Sequence, residues 1–306
     1  MRPDLHSNFI RTIQTTFGED GRKFLVDLPA LIDEASRRWN LTNIQPVPNL
    51  SYNFVAFALS GGQSVVLKIG VPNRELASEM AALRLFDGKG AVRLLNADEA
   101  HAAFLLERIR PGEMLATLED DDQATHIAAD VMLNLWRPAP ADASFIRLLD
   151  WFKELEKLRP AFDGGTGPFP GKLIEEVEEL LPRLFAESSP PLLIHGDLHH
   201  FNILSSEQHD AGWLAIDPKG VIGPAAYEVG PLLINPMPDF LNGSNPNIQI
   251  ERRIAILSER LGFSRQIIRD WGLCHAVLST WWDMSPDGSG GQYSMVCAKL
   301  IQQIKL

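Results

Sequence analysis

The stretch LIHGDLHHFNIL, residues 193–204, sets His195, Asp197, His199, His200 and Asn202 among apolar residues. A buried polar group without a partner costs about 1–3 kcal/mol, so such a cluster is either a satisfied internal network or a working site. Fifteen residues past Asn202 stands Asp217, at the end of the strand-like WLAID. An Asn carbonyl and an Asp carboxylate are hard oxygen donors of the kind Mg²⁺ takes, with its other positions left to phosphates and water. Asp197 is then available to accept the proton of an acceptor hydroxyl. An isolated Asp and Asn at this spacing are more often a turn cap and a backbone hydrogen bond, so the reading depends on what else the chain carries.

It carries Lys68, inside the β-branched run VVLKIG, where an unpaired ammonium is expensive. Its candidate partner is Glu79. At 100° per residue on a helix over 74–86, Glu79 falls in the apolar stripe between Leu83 and Phe86 rather than on the polar face with Arg84. An inward glutamate needs a cation. A strand lysine followed by an inward helical glutamate holds ATP phosphates in the kinase fold, and His-Gly-Asp with an Asn five residues past the Asp matches its catalytic loop.

The elements that must position these residues change character along the chain. YNFVAFAL (52–59), a Gly61-Gly62 turn and SVVLKI (64–69) predict a hairpin, followed by the helix over 74–86 and the short apolar pieces AVRLLN and HAAFLLERI. After Pro111-Gly112 the pattern becomes amphipathic helices over 127–136, 144–158, 172–185 and 250–263 and from about Ser264, with strand candidates FNIL and WLAID around the polar cluster. FDGGTGPFPG (162–171) joins two helices and follows no strand, which argues against a phosphate-binding loop. The acidic LEDDDQ (118–123) precedes a helix and reads as its cap.

A chain of 306 residues, 45% hydrophobic, has the length for two lobes. Its net charge of -11 repels nucleic acid and anionic lipid and favours a cationic small molecule. Cys274 and Cys297, with no CxxC pair, argue against a disulfide framework or structural zinc and fit a reducing cytoplasm. The opening MRPDLHSNFIRTIQ has no apolar signal-peptide core, and no apolar run has membrane-spanning length.

HGDLHHFNIL, WLAIDPKGVIG and AYEVG together resemble the aminoglycoside and hydroxyurea resistance kinases, with IDPKG-x-x-G separating this group from the wider choline and aminoglycoside kinases. The resemblance implies an α+β, bilobal, protein-kinase-like fold. Residues 1–108 form a nucleotide-binding lobe, a five-stranded antiparallel sheet with one helix, and 109–306 a larger, mainly helical lobe with the catalytic loop and acceptor site. ATP lies between them, its adenine against the backbone of Glu107-Arg108-Ile109. Lys68 becomes the ligand of the α and β phosphates, oriented by Glu79; Asp197 the base or hydroxyl-orienting group; Asn202 and Asp217 the Mg²⁺ ligands. His195 and His199 brace the loop, since neutral imidazole suits Mg²⁺ poorly. NLSYNF lacks the glycines of a protein-kinase phosphate loop, so Ser51, Asn53 and backbone amides cover the triphosphate.

Some roles stay open. Lys219, in DPKG where protein kinases carry Asp-Phe-Gly, either stabilises the transferring phosphoryl group or makes a structural ion pair. Trp281, Trp282 and Asp283 are candidates to pack a sugar and meet an amine, against plain core packing. Glu228 contacts an amine or braces a loop. The expected activity is ATP- and Mg²⁺-dependent phosphorylation of a small-molecule hydroxyl. An aminoglycoside such as streptomycin is favoured over hydroxyurea because an acidic chain suits a guanidinium-bearing acceptor. The rivals are a metabolic amino-alcohol or sugar kinase and a catalytically dead nucleotide-binding regulator, the latter opposed by the intact set Lys68, Glu79, Asp197, Asn202 and Asp217.

Overall fold

Side chains alternate faces along a strand, and in 53–60 and 63–70 that alternation sorts the apolar residues onto both sides of a sheet. The computed structural model describes residues 5–140, 145–187, 190–243, 245–285 and 288–306. The chain divides into two compact units, Met1–Arg110 and Pro111–Leu306.

In the first unit, β1 (Leu41–Pro46), β2 (Asn53–Ser60), β3 (Gln63–Gly70), β4 (Leu94–Asp98) and β5 (Ala103–Glu107) form an antiparallel sheet ordered β1-β2-β3-β5-β4. Gly61 and Gly62, both at positive φ, make the β2–β3 turn. Phe54, Ala56 and Ala58 of β2 and Val65, Leu67 and Ile69 of β3 join one core with a helical stretch, α1 (Ser7–Arg38). This helix is an addition to the single one expected at 74–86. Its core side chains Phe24, Leu28, Ile32 and Ala35 recur at helical spacing, but Gly18 (φ 56°), Gly21 and Pro29 interrupt the sequence signal. The second helix, α2 (Arg74–Phe86), starts at Asn73, whose side chain accepts the Leu76 N–H at 2.9 Å, and ends at Asp87 in the left-handed region.

The second unit opens with β6 (Pro111–Met114) and α3 (Asp121–Leu135), which is capped as expected. The Asp120 carboxylate accepts the Asp122 and Gln123 N–H groups at 3.0 and 3.1 Å. The strands β7 (Arg137–Pro138) and β8 (Ile146–Arg147) follow, then α4 (Leu148–Phe152), a 3₁₀ segment Lys153–Lys157, α5 (Leu158–Ala161) and α6 (Gly171–Ala186). The single helix expected over 144–158 is thus broken, and Ser144 lies outside the described residues. Next come β9 (Leu192–Ile194), β10 (Ile203–Ser206), β11 (Trp213–Ala215), β12 (Val221–Gly223), α7 (Val229–Leu233), α8 (Asp239–Asn242), α9 (Pro246–Leu261), α10 (Arg265–Trp282) and α11 (Gln292–Gln303). Two small sheets, ordered β11-β10-β6 and β7-β9-β12-β8, flank the 193–223 segment. The core helix is α10, with Trp271, Leu273, Cys274, Ala276 and Val277 all fully buried. Among the described residues no helix is long and apolar enough to cross a membrane.

Candidate active site

Lys68 sits on the face of β3 opposite the α1 core, because Leu67 and Ile69 on either side of it point into that core. It is 3% exposed, and its Nζ donates to both Glu79 carboxylate oxygens, at 2.7 and 2.8 Å. Glu79 is buried on α2 between Leu76 and Leu83, on the inward stripe that its spacing predicts. Phe104 of β5, directly across from Lys68, supplies an aromatic face 5.6 Å from the ammonium. A buried cation with a two-oxygen partner keeps its charge and position, which a phosphate-binding lysine requires.

In the second unit the loop after β9 is held from below. The Glu228 carboxylate accepts the His195 N–H at 2.7 Å and the Gly196 N–H at 2.9 Å. Burial pushes its pKa up to about 7, against the pull of those two amides. Glu228 is fully buried, with its carboxylate bracing the loop through these two amides. His195 ties the loop sideways. Its Nδ1 accepts the Asp197 N–H at 3.2 Å, its Nε2 donates to the Ile216 carbonyl at 2.8 Å, and its own carbonyl accepts the Lys219 N–H at 2.8 Å. Burial drives the imidazole pKa down to about 4, so the ring is neutral and this tautomer is fixed. Gly196 has φ +88°, and a Cβ there would lie 2.5 Å from Val221 Cγ2 and 3.2 Å from Trp151 Cη2, so only glycine fits.

Asp197 itself stands on this braced turn with its side chain 37% exposed. Asn202 donates through Nδ2 to the Asp197 carbonyl at 2.9 Å, which turns the amide so that its carbonyl oxygen is the atom available to a cation. β10 and β11 then fix the second oxygen donor. Ile203 faces Ala215, the Ile216 N–H donates to the Asn202 carbonyl at 2.9 Å, and Asp217 leaves the same end of the hairpin with φ 57°. A non-glycine residue in the left-handed region costs about 1–2 kcal/mol and is concentrated at functional sites. An amide oxygen and a carboxylate on one hairpin end fit Mg²⁺, and they exclude a soft-metal site.

The histidines after Asp197 are tied into the same loop, His199 Nε2 lying 3.7 Å from Asp197 Oδ1 and 3.3 Å from Asn202 Nδ2. His199 Nδ1 accepts the Phe201 N–H at 3.3 Å, and its pKa is lowered by burial, with Lys219 nearby adding a smaller push in the same direction. His200 is buried with its Nε2 3.5 Å from Arg253 Nη2. Arg253, on α9 and fully buried, also grips Asp121 through Nε and Nη2 and donates to the Leu232 and Asn235 carbonyls at 2.9 and 2.6 Å. It joins the start of α3, the end of α7 and the loop that carries His200. Sequence inspection does not find it, since an arginine in IERRIAIL reads as surface until the fold buries it.

The remaining candidates scatter. Asn53 pairs with Gly70 across β2 and β3, and its Oδ1 lies 2.2 Å from where a Gly70 Cβ would be, so it packs on that glycine; Ser51 is exposed. Glu107 accepts the Arg93 N–H at 2.7 Å, Ile109 is buried, and Arg108 stacks 3.9 Å over Phe57, leaving backbone as what this segment offers a ligand. Trp281 packs on Phe162 at 6.5 Å, whereas Trp282, one step round α10, meets Trp151 at 5.2 Å. Asp283 is exposed at the end of α10. Trp151 was hidden in an amphipathic helix pattern, with nothing in its own spacing to mark it.

Comparison with known proteins follows the same lines. The family model for aminoglycoside/hydroxyurea antibiotic resistance kinases matches residues 38–287. Streptomycin 6-kinase of Streptomyces glaucescens is 30% identical over 275 residues, covering 89% of this chain and 88% of that one. Hydroxyurea phosphotransferase of Kitasatospora aureofaciens is 29% identical over 277 residues, covering 87% and 76%. Among solved structures, a thermostable mutant of aminoglycoside phosphotransferase APH(4)-Ia with AMP-PNP and hygromycin B superposes with a TM-score of 0.60 at 13% identity, over 89% of this chain and 98% of that one. At that identity the likeness is one of fold, the protein-kinase-like fold of small-molecule phosphotransferases.

Proposed function

Because this chain belongs to the aminoglycoside/hydroxyurea antibiotic resistance kinases, we propose that it transfers the γ-phosphate of ATP, with Mg²⁺, to a hydroxyl of an aminoglycoside of the streptomycin type. The observation that carries this is Asp197 on a turn fixed by Glu228, His195 and Gly196, next to the oxygen donors Asn202 and Asp217. Lys68, oriented by Glu79, holds the α and β phosphates, and the backbone of 107–109 receives the adenine. Ser51, Asn53 and neighbouring amides lie over the triphosphate. Asp197 takes the acceptor's hydroxyl proton as that oxygen bonds to the γ phosphorus, and the bond to the β–γ bridging oxygen breaks with its electron pair leaving on ADP. Asn202 and Asp217 would hold Mg²⁺, which when bound would supply charge neutralisation on the phosphates. Lys219, whose charge reaches His199, adds to that neutralisation on the transferring group. The ATP supply places the reaction in the cytoplasm.

Support for ATP comes from the AMP-PNP in the APH(4)-Ia complex, and support for the acceptor from the streptomycin 6-kinase relative. The hydroxyurea phosphotransferase relative favours a second reading, with hydroxyurea as acceptor. Incubation with γ-labelled ATP and streptomycin, hydroxyurea, or a panel of amino alcohols and sugars separates these. Label on streptomycin, abolished by EDTA and restored by Mg²⁺, is the expected result. Label on hydroxyurea alone moves the assignment to the second reading, and ATP binding without transfer to any compound defeats the kinase reading.

A further inference from the structure

A row of aromatic rings leads from the core of the second unit to the catalytic loop. Fully buried Trp271 meets Tyr227 at 5.7 Å and Phe152 at 5.8 Å, and Trp151 lies edge-on to Tyr227 at 6.3 Å. The Trp151 ring ends against Gly196, 3.2 Å from the position a Cβ would take there, one residue before Asp197. Trp282 then stands at 87° to Trp151, with centroids 5.2 Å apart. It is 45% exposed, and among the described residues it is the only tryptophan on the exposed apolar surface. Two indoles at a right angle, one anchored by the core and one open to solvent, leave an aromatic corner beside the reacting loop.

The next residue, Asp283, is exposed where α10 ends, and partial burial of its carboxyl raises the pKa. A carboxylate one residue past an exposed indole is suited to a planar cation: a guanidinium stacks on an indole and at the same time hydrogen-bonds a carboxylate in a two-pronged fork.

We propose that Trp151 and Trp282, with Asp283, form the subsite that selects a guanidinium-bearing acceptor, and that Trp151 sets its distance from Asp197. This deepens the streptomycin reading above and rests on it for the identity of the cation. It makes Trp282, rather than Trp281, the acceptor-facing member of the pair on α10.

The test combines kinetics with binding. Trp282→Ala is expected to raise the KM for streptomycin about tenfold, within the range of a desolvated cation–π contact, with KM for ATP unmoved. Trp282→Phe, which keeps an aromatic face, is expected to recover most of that loss, and Asp283→Asn to raise the same KM and remove its dependence on salt. Streptomycin should also quench tryptophan fluorescence in the parent protein, and Trp282→Phe should remove most of that quench. Transfer to streptomycin with its KM and the quench unchanged in Trp282→Ala overturns the subsite and leaves the kinase reading intact. A quench that depends on Trp282 without any transfer supports the subsite and overturns the choice of streptomycin as acceptor.

Discussion

Lys68 in the first unit and Asp197 in the second are held by opposite means. Lys68 is fixed by charge: its ammonium is buried against the Glu79 carboxylate, and each ion is tolerable only while the other is present. Asp197 is fixed by its backbone. The groups that brace its turn are a neutral imidazole, a buried carboxyl on two amides, and a glycine, and its own side chain stays half-exposed. The difference follows from the work proposed for each. A phosphate ligand has to keep its charge in a dry place, so the fold gives it a counter-ion. A base has to meet an incoming hydroxyl, so the fold holds the turn and leaves the carboxylate accessible.

The sharpest way to break this contrast is Asp197→Asn. The amide keeps the shape of the turn, so nucleotide binding and folding should persist while turnover falls roughly 10²–10⁴-fold, the range for losing a general base. Turnover within a factor of about three of the parent would remove Asp197 from the reaction.

Glu79→Ala tests the charge-held side. Leaving Lys68 buried without its partner should cost about 3–5 kcal/mol in urea unfolding. The double variant Lys68→Met with Glu79→Leu should return most of that stability, since an apolar pair replaces a buried ion pair at little cost, yet should bind ATP no better. Equal stability of Glu79→Ala and the parent would show that the ion pair does not set the energetics of β3 and α2.

The backbone-held side is probed by Glu228→Gln, which sets an amide NH₂ against the His195 or Gly196 N–H and should cost about 1–3 kcal/mol together with a fall in kcat. The pH dependence carries a sign. With a folded pKa raised to about 7, Glu228 holds a proton in the folded state that the unfolded chain has already lost. Its contribution therefore declines as pH rises from about 4.5 to 7, by on the order of 3 kcal/mol, and is flat above. The parent should lose stability relative to Glu228→Gln across that window. His195 and His275, both lowered to about 4 by burial, act in the opposite sense, adding stability as pH rises from 4 towards 6.5 in parent and variant alike. A stability difference between the two proteins that stays constant with pH would show Glu228 ionised throughout.

The smallest effect expected is for Gly196→Ala. Its φ of +88° and the 2.5 Å approach to Val221 should cost about 1–2 kcal/mol in thermal unfolding, with kcat falling because Asp197 moves with the turn. A variant as stable and active as the parent would mean that Val221 and Trp151 yield easily.

The sequence by itself determined the hairpin carrying Lys68, the inward face of Glu79, the cap at Asp120, and Asp197, Asn202 and Asp217 as one polar set. Each of these depends on periodicity or on neighbours within a few turns of chain, and such local geometry repeats whatever the surroundings. It did not determine α1, where Gly18 and Pro29 break the pattern that packing on the sheet restores. Nor did it place Glu228, Arg253 or Trp151, whose contacts reach far along the chain: Glu228 reaches back to His195 across 33 residues, Arg253 to Asp121 across 132, and Trp151 to Gly196 through α4. Between two such positions the sequence carries no periodicity, and whether a carboxylate is a brace or an indole a wall is decided only when tertiary packing buries one and leaves the other open to solvent.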